Sequence, residues 1–355
     1  MIFNLDQMVP YKQQVKEAID RVIERQQYIY GEEIKAFEKE WACFTKQQYA
    51  IGVGNGTDAI RIALQALGVK PGDEVISPAF NVAYTAQAVA SIGAVNVFCD
   101  INSYTLLMGV HQIRNLITPR TRVILPVHLF GSKVPMGIIR DIAHQHGLII
   151  IEDAAQAHGL YELGQYSQAV AYSHYPTKNL GCLGEGGSIT TNIPIVEERA
   201  KLIRDAGRTD RYTHVLPGVN SCLDEIQAAV LRVKLKFLRV RNIERLRIAQ
   251  QYDRYLKNVG DIKISANKDS VYHLYVIRTA YRDKLHEYLK SKNIPTLIHY
   301  PIIVPRQPVF SDINGSWPAA EEAARTVLSL PMHPDLSHIE QNEVIEHIKN
   351  FYDKT

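Results

Sequence analysis

The chain has 355 residues, 46% of them hydrophobic and 22% charged, with a formal net charge of +3. That length suits one large and one small domain, and so small a charge gives no case for nucleic acid or an anionic membrane as the main partner. No run of about 18 apolar residues occurs, so no membrane span is expected, and M-I-F-N-L-D-Q-M-V-P-Y-K lacks the basic-then-apolar pattern of a secretory signal.

Residues 11–27 carry Val15, Ile19, Val22 and Ile23 at helical spacing, and a second amphipathic helix runs from Glu32 to Phe44. Strands and helices then alternate: strand Ala50–Val53, helix Thr57–Leu67, strand Glu74–Ser77, helix Tyr84–Ile92, strand Val95–Cys99 with Asp100 after it, strand Val123–Val127, helix Pro135–His146 and strand Leu148–Glu152. Near-continuous apolar strands between helices imply an α/β sheet covered on both faces, whose ligands gather at the carboxyl ends of the strands. From Leu231 to Leu256 the pattern is one long basic helix with solvated charges. After it comes a smaller α+β unit, with strand V-Y-H-L-Y-V-I-R, helix Arg282–Lys292, strand Thr296–His299 and a closing helix from His338. The division expected is 1–245 and 246–355. Cys43, Cys99, Cys182 and Cys222 are scattered without metal-ligand spacing and read as reduced thiols of a cytosolic protein.

Three stretches could carry chemistry. G-V-G-N-G-T-D-A-I follows a strand and opens a helix: Gly52, Gly54 and Gly56 let the backbone approach a ligand, Thr57 can cap the helix, and free N–H groups there favour a phosphate. A tight strand-to-helix turn is the plain alternative. A dinucleotide fold is disfavoured, because the spacing is G-x-G-x-G and Ile76 stands where an acid should end the next strand. In I-I-I-E-D-A-A-Q-A-H-G, Asp153 follows a buried strand and points into the cleft, or else caps a helix; His158 reads as a satisfied core or loop histidine. In S-H-Y-P-T-K-N-L-G-C-L-G-E-G-G, Lys178 is a loop lysine that burial would make a usable nucleophile. In that order, a helix-start phosphate cradle, a strand-end acid and a lysine in a Gly-rich loop are what pyridoxal phosphate (PLP) needs.

These segments, with G-V-N-S-C-L-D-E-I-Q-A-A-V-L-R-V-K-L, L-I-H-Y-P and S-L-P-M-H-P, resemble the DegT/DnrJ/EryC1/StrS sugar aminotransferases of fold type I over nearly the whole chain. The resemblance implies Lys178 as the lysine that bonds the cofactor and later carries the proton, and Asp153 as the partner of the pyridine nitrogen. It implies Gln156 on the ring hydroxyl, Gly56, Thr57 and Ser173 on the phosphate, and Asn220 reaching the phosphate of a neighbouring subunit in a homodimer. His299 and Tyr300 fall on the sugar-nucleotide side. The implied reaction moves an amino group from L-glutamate to a keto group, first C3 of a dTDP-linked 6-deoxyhexose; C4 amination or a ketocyclitol are the alternatives. Three positions depart from the family pattern. Val82 stands where an aromatic residue usually covers the ring, so that either Phe80 or Tyr84 stacks or the ring packs against an aliphatic group; the hairpin after His158-Gly159 is shorter; and Gln168 replaces a frequent Asp. An NAD-dependent sugar oxidoreductase and a non-catalytic regulatory protein on the same fold are the readings from other classes.

Overall fold

The alternating strands and helices of the first half close into a seven-stranded sheet. The structure, a computed structural model, describes residues 11–265, 267 and 269–354; the N-terminal stretch read for a secretory signal lies, up to residue 10, outside them. Helices α1 (Lys12–Arg25) and α2 (Glu32–Thr45) precede the sheet. Its strands are β1 (Tyr49–Val53), β2 (Glu74–Pro78), β3 (Val95–Cys99), β4 (Thr121–Ile124), β5 (Ile149–Asp153), β6 (Ala169–Ser173) and β7 (Gly187–Thr191). Between and after them come α3 (Gly56–Ala66), α4 (Tyr84–Ala90), α5 (Ile113–Leu116), α6 (Met136–His146) and α7 (Pro194–Arg204). The spatial order is β1-β7-β6-β5-β4-β2-β3, with β7 antiparallel to both its neighbours and the other pairs parallel.

Along β6, Ala169 and Ala171 enter one core while Val170 and Tyr172 enter another, the alternation of a strand covered on both faces. The sequence pattern did not reveal β6 or β7. Many of their residues are small or polar, and two of the buried hydroxyls of β7 find partners outside it: Ser188 Oγ lies 2.9 Å from His174 Nε2, and Thr191 Oγ donates to the Gln168 carbonyl at 2.7 Å.

Helices α8 (Glu225–Leu235) and α9 (Leu238–Leu256) lead to a second sheet of β8 (Lys263–Ile264), β9 (Tyr275–Arg278) and β10 (Val327–Leu330), ordered β10-β9-β8 and antiparallel. With α9, helices α10 (Arg282–Ser291) and α12 (His338–Tyr352) supply its core through Ile248, Tyr252, Leu285, Leu289, Val344 and Ile348. The chain between β9 and β10 returns to the large sheet: Val304, Phe310 and Trp317 join the first core, and Asp100 accepts from the amides of Ala319 (3.0 Å) and Ala320 (2.9 Å) at the start of α11 (Pro318–Thr326). Asp100 is thus a strand-end acid used as a helix cap.

Three element expectations are corrected. The long helix from Leu231 is two helices, because the chain tightens at Lys236–Phe237, where the Phe237 amide reaches Lys234 O at 3.0 Å. Its charges are not all solvated: Lys234 and Arg245 are buried, and Arg245 donates to the carbonyls of Tyr272, His273 and Met332 at 3.1–3.3 Å. Thr296–His299 is not a strand; Leu297 alone exchanges hydrogen bonds with Ser329, between two prolines that have no N–H to offer.

Candidate active site

Four strand ends converge on one cavity of about 720 Å³. The start of α3 supplies Asn55, Gly56 and Thr57; the turn after β2 and the first residues of α4 supply Val82, Tyr84 and Thr85; β5 ends in Asp153 and β6 in Ser173. Lys178 enters from the loop between β6 and β7, and Tyr300 from the segment before β10. Eight of the residues singled out from the sequence therefore share this cavity: Gly56, Thr57, Val82, Tyr84, Asp153, Ser173, Lys178 and Tyr300.

At the mouth of α3, Asn55 is the cap: its Oδ1 accepts from the Asp58 amide at 2.8 Å. This corrects the expectation for Thr57, which sits one position inside the helix and faces the cavity. The amides of Gly56 and Thr57 lie in the first turn, where the helix itself offers no acceptor. A side chain at any of the three glycines would crowd neighbouring protein. A Cβ on Gly56 would stand 2.6 Å from Ser173 Cβ, one on Gly54 would meet Ser221 Oγ at 3.1 Å, and one on Gly52 would meet Leu223 at 3.1 Å. Gly56 so brings the helix mouth against Ser173.

Asp153 is buried. Its Oδ2 accepts from Thr85 Oγ at 2.7 Å and its Oδ1 from the Ala155 amide at 3.0 Å, an Asx turn rather than a helix cap. Burial raises its carboxyl above the usual range, opposed by those two bonds and then by Lys178 and His128. His128 is buried behind it. Its Nδ1 accepts from the Val134 amide at 3.2 Å, so Nε2 carries the proton and donates to Glu152 at 2.7 Å.

Lys178 is half-buried. Burial lowers its ammonium to about 8, with Asp153 pulling the other way. The loop that carries it is glycine-rich for want of space: a Cβ on Gly181 would lie 2.5 Å from the Pro176 carbonyl, and one on Gly187 2.3 Å from that of Asn55.

Gln156 is buried and does not line the cavity. Its Oε1 accepts from the Phe130 amide at 2.6 Å and its Nε2 donates to the Tyr300 hydroxyl at 3.0 Å, leaving one amide hydrogen uncommitted by these bonds. His299 also stands back, 2.9 Å from Ser329 Oγ through Nδ1, and burial followed by Lys178 lowers it to about 4. Asn220 borders a separate cavity of about 520 Å³ beyond Gly54 and Asn55. Its neighbour Ser221 ties that side to α3 by donating to Asp58 at 2.7 Å. His158 is fully buried against Trp41, Tyr172 and His174. Of the two proposed stacking residues Tyr84 lines the cavity, as Val82 does, whereas Phe80 is buried edge-on to Phe130 and Tyr300. Gln168 extends the sheet, its Oε1 accepting from the Ile150 amide at 2.7 Å.

Residues 11–349 match the DegT/DnrJ/EryC1/StrS aminotransferase family. The chain belongs to that family. It is 41% identical to the "Pleiotropic regulatory protein" of Geobacillus stearothermophilus, over 98% of this chain and 96% of that one. To the dTDP-3-amino-3,4,6-trideoxy-alpha-D-glucose transaminase of Streptomyces venezuelae it is 39% identical, over 95% of this chain and 92% of that one. The crystal structure of S. venezuelae DesV in complex with a ketimine intermediate superposes with a TM-score of 0.95 at 38% identity, covering 98% of this chain and 96% of that chain. As a DegT/DnrJ/EryC1/StrS member the chain is an enzyme, a PLP-dependent sugar aminotransferase of fold type I. No helix among the described residues is long and apolar enough to cross a membrane.

The donors present fit PLP. An amine, a buried carboxylate and a helix mouth with two first-turn amides beside a hydroxyl border one cavity, matching the aldehyde, the pyridine nitrogen and the phosphate.

Proposed function

We propose that this aminotransferase transfers the amino group of L-glutamate to the C3 keto group of a dTDP-linked 6-deoxyhexose. The observation that carries the site assignment is the meeting of Lys178 and Asp153 in a cavity whose far wall is the start of α3. The substrate rests on the 39% identical relative named for a dTDP-3-amino sugar; amination at C4, or of a ketocyclitol, remains the alternative.

When bound, the cofactor supplies an electron sink for the carbon that loses its proton. The chain does the rest. Gly56, Thr57 and Ser173 bind the phosphate. Asp153, ionised and braced by Thr85, holds the ring nitrogen protonated; a cation there favours the carboxylate that burial alone disfavours. Lys178, whose amine burial leaves about half neutral at pH 8, would hold the cofactor at its aldehyde carbon, with the aldehyde oxygen leaving as water, and would afterwards carry a proton between two carbons. Gln156 serves the ring hydroxyl directly or through Tyr300, and His299 and Tyr300 border the sugar nucleotide. Asn220 reaches the phosphate held by a second copy, so the working unit is a cytoplasmic homodimer. The part that holds the cofactor is 1–245, and 246–355 closes over the substrate.

The test is the absorbance of purified protein mixed with PLP, before and after L-glutamate. The expected result is a yellow imine band that bleaches on adding the donor. No imine band would remove Lys178 from its role, and a band that glutamate leaves unchanged would remove the donor.

A further inference from the structure

The residue after the lysine is as constrained as the lysine itself. Asn179 is buried at 6% exposure, and each of its amide's polar atoms is engaged. Its Nδ2 donates to the Val271 carbonyl at 3.0 Å and to Asn242 Oδ1 at 2.9 Å, and its Oδ1 faces His273 Nδ1 at 3.2 Å. The orientations follow from the partners. The Val271 carbonyl can only accept, so Nδ2 points that way. The His158 carbonyl, 2.8 Å from Asn242 Nδ2, fixes Asn242 in the same manner. His273 Nδ1 must then carry the ring proton, and burial, helped by Lys178, keeps that imidazole neutral. The His273 carbonyl in turn accepts from buried Arg245 at 3.2 Å.

We infer that Asn179 positions Lys178, joining the nucleophile's loop to α9 and to the 271–273 segment that leads into the second sheet. The inference rests on the PLP reading of the site. Other ties hold the loop elsewhere: His174 to the Leu180 carbonyl at 3.0 Å, Gln227 to the Leu183 amide at 2.8 Å, and Lys234 to the Gly181 carbonyl. Asn179 supplies the tie adjacent to the reacting amine, and its partners Asn242 and Val271 lie 63 and 92 residues downstream. Of the titratable groups around Lys178, Asp153, His158, His273 and His299 are buried or half-buried and interact with its charge, the three imidazoles being held neutral by desolvation, while Asp58, Tyr84, Tyr175, Glu185 and Tyr300 line the same cavity.

The test uses the holoenzyme and two variants, Asn179→Ala and Asn242→Ala, with the pH titration of the imine band as readout. Removing the amide of Asn179 loosens the loop and lets water reach the amine, so the imine titrates higher, by about half a unit or more. Turnover falls roughly tenfold while KM for glutamate moves less than about threefold, the signature of a misplaced reacting group. Asn242→Ala shifts the imine titration in the same direction but less, because Val271 and His273 still hold Asn179. A merely structural role would lower the melting temperature of the variants and leave the imine titration where it is in the unmodified protein; that result overturns the inference. If Asn179→Ala does not fold, Asn242→Ala decides by the same criterion. If the unmodified protein itself gives no imine band, the cofactor reading fails and this inference with it.

Discussion

Thr85 Oγ donates a 2.7 Å hydrogen bond to Asp153 Oδ2 and accepts one, also 2.7 Å, from Asn81 Nδ2. A threonine from the start of α4 thereby fixes the carboxylate at the end of β5 across 68 residues of sequence. Thr85→Val keeps the shape and deletes the donor. With that bond gone, the Asp153 pKa rises further, so the acid limb of the kcat/KM profile moves to higher pH and kcat at pH 7 falls about tenfold. A pH-rate profile that overlays the unmodified enzyme would exclude this bracing role.

Asp153→Asn tests the carboxylate itself. An amide offers the pyridine nitrogen no negative charge, so the ring loses its protonated form. The expected loss in kcat is roughly a thousandfold or more, measured under saturating donor and acceptor. A drop below about tenfold would leave Asp153 as a turn former.

Lys178→Met removes the amine at similar volume. Turnover vanishes while pyridoxamine phosphate still binds, read by its absorbance after dialysis. The same variant reports on stability. In the cofactor-free protein the lysine titrates at about 8 instead of 10.5, so between those values the unfolded chain binds more protons and stability rises with pH. The Met variant is therefore the more stable protein at pH 7, by on the order of 2 kcal/mol or less, and the gap closes as pH approaches the free-lysine value. Urea unfolding at several pH values measures it; a gap independent of pH would contradict the burial of the amine.

Glu225 tests the scaffold. Its buried carboxylate accepts from the amides of Gly31, Glu33 and Ile34 at 2.8, 2.9 and 3.0 Å, capping α2 from 192 residues away. Glu225→Ala leaves three amides without acceptors and costs about 3 kcal/mol in denaturant unfolding. Glu225→Gln, which keeps one acceptor, costs less. Equal stability of all three proteins would show that water replaces the carboxylate at no cost.

Local pattern alone determined much of this protein. Strands β2, β3 and β5 and helices α1, α2, α3, α6 and α12 are legible because apolar periodicity is a property of neighbouring residues. The family, and with it the fold and the reaction class, is legible because Asp153, Lys178 and the Gly56 turn sit in short segments specific enough to recognise. Tertiary structure alone decided what depends on distant neighbours. Asn55 caps α3 in place of Thr57; Gln156 turns away to Phe130 and Tyr300; and Arg245 is buried because three carbonyls converge on it. Strands β6 and β7 are held by partners that a short window does not contain. Thr85 and Asn179 belong to the same class: nothing in A-Y-T-A or K-N-L signals a role, because each acts through a hydrogen bond to a group 63 or more residues away, and only the folded sheet and α9 bring those groups within reach.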